Sequence, residues 1–109
     1  MILGKVVGSV WGSKQSPTLV GKKVVKVRPL RVGAAPAGAS FTADTCESWL
    51  EESEILAVDV IGADVGELVL VSIGSRVRDL VVGASVPTKN CVIAIVDQAW
   101  MASGEELGR

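Results

Sequence analysis

The sequence predicts a mainly all-β fold, a small five-stranded barrel with one or two short helices, on three observations. Short runs of Val, Ile and Leu recur along the chain and are separated by turn signals rich in Gly, Pro and Ser. Between them there is no strand–helix–strand spacing of the kind that builds a parallel sheet. The 109 residues suit one domain with one modest core, and with 49% hydrophobic but only 4% aromatic content that core is built of aliphatic side chains.

The first strand is expected over Ile2 to Trp11, ending at the dense turn signal in "WGSKQSPTLVG". "KKVVKVRPL" supplies the second, where Val25 and Val27 alternate with Lys26 and Arg28 to give one apolar and one wet face. Pro29 lacks a ladder donor and belongs at an edge or a strand end. "RVGAAPAGASFTA" reads as a loop. In "DTCESWLEESEIL", Asp44 and Glu47 have capping-box spacing and Trp49, Leu50 and Leu56 fall on one face, so a short helix with four solvated glutamates is expected. Strand character returns at Ile55, breaks between Gly62 and Gly66, and resumes in "LVLVSIG". "SRVRDLVVG" predicts a second short helix with Ser75 as N-cap and Gly83 as its stop. After a turn in "VPTKN", "CVIAIVD" is short and continuously apolar, as a buried strand is. "QAWMASGEELGR" is a polar tail apart from Trp100 and Met101. The elements make one barrel domain over residues 1–97 and a tail over 98–109, in a Greek-key, OB-like arrangement without internal repeats.

A formal net charge of −1 and a pI near 5.4 provide no field that gathers nucleic acid or anionic lipid. No segment approaches the ~20 apolar residues of a membrane span. The N-terminal run "MILGKVVGSVWGSK" is broken by glycines and Ser9 and has no cleavage signal, so a soluble cytoplasmic protein is expected. Cys46 and Cys91 form no CxxC pair, and the absence of histidine removes the common zinc sites. Both thiols are expected to be reduced, with Cys91 a small core side chain.

Catalysis has little to stand on. A serine or cysteine nucleophile needs a neighbouring base, most often histidine, and no Ser-Lys or Cys-Asp arrangement takes its place. No catalytic, cofactor-binding or metal-binding residue is assigned. Asp59, Asp64 and Glu67 are oxygen donors of the kind a hard cation accepts, but Asp59 sits between Val58 and Val60 in a strand and the EF-hand alternation is missing. Acids that accept hydrogen bonds from turn N–H groups are the simpler reading. Gly62-x-x-x-Gly66 leads neither to Gly-Lys-Ser/Thr nor into a helix, so it is not a phosphate loop. A monomeric OB-type binder of single-stranded nucleic acid is the alternative class, with "GKKVVKVRPLR" as its basic cluster. The three tryptophans and one phenylalanine are not interleaved with basic residues, and a solvated strand face accounts for the cluster.

The blocks "GKVVGSVWGSKQSPTLVGKKVVKVRPL", "AVDVIGADVGELVLVSIGSRVR" and "CVIAIVDQ" resemble, in order, the signature blocks of the bacterial microcompartment vertex proteins, the EutN/CcmL family. They cover well over half the chain. The features that carry the resemblance are the "SPTLVGKK" turn, the D-x-x-G-A-x-x-G-E block ending at Glu67, the G-S-x-x-R segment and the closing I-V-D. The resemblance implies a barrel that assembles as a homopentamer at the vertices of a polyhedral shell in the bacterial cytoplasm. Its implied partners are hexameric or trimeric shell proteins, with no nucleic acid, no membrane, no cofactor and no enzymatic activity. The "SPTLVGKK" region is nearer to catabolic compartments, of propanediol or glycyl-radical type, than to carboxysomes. On this reading Gly62, Ala63, Asp64, Gly66, Gly74, Ser75 and Arg76 are the candidate pore or subunit-interface residues. Small residues let backbones crowd a symmetry axis, and Asp64 on the axis would repeat as a carboxylate ring that disfavours anions. The chain departs from the family pattern at Asp64, Val77 and Asn90, and its segment from Ala35 to Glu54 is longer than in many relatives.

Overall fold

Alternation decides which side of each strand turns inward. Val25 and Val27 are fully buried while Lys26 and Arg28 between and after them stay half-buried, so β2 (Lys23–Pro29) shows its apolar side to the interior. The computed structural model describes residues 1–10, 22–34, 38–74 and 90–100. In it β1 (Ile2–Val10), β2, β4 (Ile55–Asp59), β5 (Leu68–Ile73) and β6 (Asn90–Val96) close a barrel in the order β1-β2-β4-β6-β5. Two-residue strands, β3 (Ser40–Phe41) and β7 (Ala99–Trp100), pair apart from it. Taken alone, the barrel strands close as first, second, third, fifth and fourth, the expected Greek-key, OB-like order.

β1 closes the barrel because it pairs on both sides, Lys5 lying opposite Arg28 of β2 and opposite Leu68 of β5. A bulge between Val6 and Gly8 bends it far enough to reach both neighbours. The last seam is the weakest. β4 and β6 run parallel and meet at Val58 and Cys91, and the Asn90 side-chain amide donates to the Leu56 carbonyl at 3.0 Å. Pro29 ends β2, where its missing donor costs nothing.

The interior is aliphatic, as composition requires: Val6, Val25, Val27, Ala57, Val69, Val71 and Val92 are sealed, with Ala63 reaching in from the β4–β5 turn. At Gly4 the strands come too close for a side chain. A Cβ there would stand 2.5 Å from Val27 Cγ1 and 2.8 Å from the Arg28 carbonyl oxygen.

A second apolar cluster lies on the other side of β1 and β5. Leu3 and Lys5 face away from the interior by alternation, and Leu3 and Leu68 are covered by Phe41, Cys46, Leu50 and Trp49. Phe41 and Trp49 meet edge to face at 5.8 Å between ring centres. The cover comes from the segment expected to be a loop and a helix. Among the described residues its helical content reduces to single 3₁₀ turns at Val32–Ala34 and Glu47–Trp49. The expected capping box does not form, since the turn starts at Cys46 with no side-chain cap, and Leu50 is already extended. The reason is competition for backbone partners: Arg31 N–H donates to the Trp49 carbonyl and Glu51 N–H to the Pro29 carbonyl, both at 2.8 Å, around a Leu30–Leu50 bridge. A chain pinned this way cannot also close α-helical hydrogen bonds.

Nor are the glutamates of that segment merely solvated. Glu47 accepts a hydrogen bond from the Lys5 ammonium, which holds its carboxyl below the usual carboxylate range and raises Lys5 in turn. Glu54 lies 3.3 Å from Lys26. β7 is a second departure from expectation, because Ala99 and Trp100 of the expected tail pair with Phe41 and Ser40 of β3. The helix expected at Ser75 to Gly83 and the turns at "WGSKQSPTLVG" and "VPTKN" fall wholly or mostly outside the described residues.

Candidate functional site: the β4–β5 turn

The candidate residues Gly62, Ala63, Asp64 and Gly66 share one turn, and its shape follows from an acid at the end of β4. Asp59, only 2% exposed, accepts hydrogen bonds from Ile61 N–H at 3.0 Å and Ala63 N–H at 2.6 Å, one on each carboxylate oxygen. That folds the chain back and carries Ala63 into the core. Gly62 and Gly66 have φ of 89° and 99°, a region that a Cβ disfavours, and no heavy atom lies within 4 Å of where one would be. Backbone conformation alone therefore explains both glycines within the chain.

The rest of the turn is tied down on three sides. Asp64 N–H donates to Glu67 Oε1 at 2.7 Å while Glu67 N–H returns to the Asp64 carbonyl at 3.1 Å. Gly66 N–H donates to the Val6 carbonyl, and Val6 N–H to that of Glu67. Lys23 Nζ donates to the Ala63 carbonyl at 2.6 Å and stands 3.8 Å from Asp64 Oδ1.

This arrangement settles what the turn can do. The N–H groups of Ile61, Ala63, Asp64 and Gly66 are consumed inside the chain, so they form no cradle for a phosphate. Both Asp59 oxygens are taken up in the same way. No group of three or more His, Cys, Asp or Glu side chains able to hold a metal ion occurs among the described residues. The expectation that these acids serve the backbone of the turn is met for Asp59 and Glu67. Asp64 instead points outward, its side chain 83% exposed.

What the turn presents to the outside is apolar. Val60 and Ile61 are each 44% exposed and Val65 60%, around the Asp64 carboxylate. Sequence reasoning did not single these three out, because periodicity cannot separate an outward aliphatic from a core one inside a continuous apolar run. Gly74 follows the end of β5, away from the turn, and Ser75 and Arg76 lie outside the described residues. Both cysteines are buried, Cys91 as expected. Burial pushes the Cys46 thiol up, which keeps it protonated and a poor nucleophile.

The family model described as ethanolamine utilisation protein EutN/carboxysome matches residues 1–97. The chain belongs to the EutN/CcmL family. Within it, the chain is 37% identical over 98 residues to the bacterial microcompartment shell vertex protein PduN of Salmonella typhimurium, covering 89% of this chain and 96% of that one. It is 35% identical over 104 residues to the carboxysome shell vertex protein CcmL of a Synechocystis species, covering 95% and 90% respectively. The solved pentameric microcompartment shell protein GrpN of Rhodospirillum rubrum superposes with a TM-score of 0.67 at 29% identity, over 94% of this chain and all of that one. PduN and GrpN lie on the catabolic side of the family, where the sequence blocks point. The nucleic-acid alternative finds no support in these relatives.

Proposed function

We propose that this EutN/CcmL-family chain is a structural subunit that forms homopentamers closing the vertices of a bacterial microcompartment shell. The observation that carries the reading is the match to shell vertex proteins, 37% identical to PduN over 96% of that relative, with residues 1–97 matched by the family model. The subunit resides with the shell in the bacterial cytoplasm, docks at its rim against hexameric or trimeric shell proteins, and catalyses no reaction. A cyclic pentamer repeats one heterologous contact, so each subunit needs two unlike surfaces with apolar area to bury. The described surface supplies candidates in Leu56, Val60, Ile61, Val65 and Ile73, between 44% and 60% exposed.

We assign residues 1–97 to the barrel domain and place Gly62, Ala63, Asp64, Gly66, Gly74, Ser75 and Arg76 at a subunit interface or the axial opening. The outward carboxylate of Asp64 supports this placement, since on the axis it would form a ring that favours cations and neutral solutes over anions. A pentamer structure with Asp64 far from the axis would sink the pore assignment while leaving the shell role intact. The shell role is tested by co-expressing hexameric shell protein with and without this chain. Closed particles are expected only with it, and equally closed particles in its absence would remove the vertex function.

A further inference from the structure

Residues 47–54 form an acidic strap across the outer side of β1 and β2, and each described cation beneath it receives an oxygen from the strap. Lys5 Nζ binds the Glu47 carboxylate and Lys26 Nζ lies 3.3 Å from Glu54 Oε1. Arg28 Nε donates to the Glu51 carbonyl at 2.8 Å, and Arg31 Nη2 to the Ser48 carbonyl at 3.1 Å. Lys5 and Arg28 are direct cross-strand partners, a like-charge pair that is unfavourable unless something lies over it.

The covered face has a counterpart in other OB-type barrels, where the surface of the second and third strands takes oligonucleotides. Here β2 is the second barrel strand, and it pairs with β4, the third, with Lys26 opposite Leu56. Affinity for nucleic acid comes chiefly from lysine and arginine neutralising phosphates. We propose that the strap is a built-in shield: its glutamates occupy the cations of a latent polyanion-binding strand face, and this keeps the barrel off single-stranded nucleic acid.

Exposed ion pairs contribute little to stability, and the strap does not depend on them to stay seated. Leu50 within it and Cys46 just ahead of it are buried, and two backbone hydrogen bonds join it to Pro29 and Arg31. Neutralising its glutamates therefore uncovers charge without displacing the chain. The two carboxylates are the removable part of the shield, since the carbonyls stay with the backbone.

The test is fluorescence anisotropy of a labelled oligothymidylate of about 20 nucleotides, long enough for one OB-type site. The unaltered protein is expected not to bind at about 20 mM salt, while the Glu47→Gln/Glu54→Gln variant binds. Two phosphate contacts on a single strand, at a slope of about −0.7 each, predict an affinity loss of about 25-fold on raising salt from about 20 to about 200 mM. Glu54→Gln alone should show one contact and a loss of about 5-fold. Glu52→Gln/Asp97→Asn is the control, because it changes net charge equally at two exposed acids that form no ion pair among the described residues. An unreactive Cys46 thiol in each variant shows the strap still seated. Binding by the unaltered protein, equal binding by the control, or no binding by either strap variant would overturn the proposal. The pentamer reading is tested separately by mass, so neither failure is mistaken for the other.

Discussion

Gly4 and Asp59 make the sharpest demands on single side chains. A Cβ at Gly4 meets Val27 and the backbone of Arg28, neither of which has room to retreat inside a closed barrel. Gly4→Ala is expected to cost about 1–3 kcal/mol by urea denaturation, the range of overpacked cores, whereas Gly33→Ala, with open space around it, should be close to neutral. Asp59→Ala removes the acceptor for two turn N–H groups, and leaving the buried Ala63 donor unpaired should cost about 2 kcal/mol in the same measurement. An unchanged midpoint would show that the turn holds its shape without Asp59. The role of Asp59 was legible in the sequence, since an acid closing a strand just ahead of two glycines is turn chemistry. Lys23 was not, because its bond to the Ala63 carbonyl joins residues 40 positions apart and leaves no local pattern.

At the scale of elements, the strap and the β3–β7 pair share one apolar cluster, through Trp49 and Leu50 on one side and Phe41 and Ala99 on the other. The Glu47–Lys5 pair sets a pH dependence whose sign is fixed by the two shifts. Glu47 is held below its ordinary value, so its contribution is present above the unfolded carboxylate value and is lost as pH falls through the lowered one. Lys5 is raised, so its contribution is present below the ordinary lysine value and is lost as pH rises through the higher one. Melting temperatures of the unaltered protein and Glu47→Gln are therefore expected to differ most between these limits and to converge in acid. A difference that persists well below the carboxylate range would refute the pairing. Ending the chain at Asp97 removes β7, the partner of Phe41. The shortened protein should melt lower and expose Cys46 to a thiol reagent, while unchanged stability and a protected thiol would deny β7 any structural part. Sequence reasoning placed the glutamates and Trp49 on a helix because capping-box spacing and apolar periodicity agreed. The backbone pairing with residues 29–31 that decides otherwise is a tertiary contact, invisible to local pattern.

For the whole molecule, the barrel was legible because each strand carries its own signal: alternation in β2, a glycine-bounded turn between β4 and β5, and a continuous apolar run in β6. The β3–β7 ribbon was not, since two residues are too few to show a period. Assembly was legible only through the family blocks, because a surface that meets another chain and one that meets water differ little until burial is known. Burial in the structure leaves aliphatic side chains outside at the β4–β5 turn, on β4 and at the end of β5. Light scattering coupled to size exclusion tests the central claim most directly. A vertex subunit should elute with the mass of five chains, and a mass of one or two chains would contradict the account.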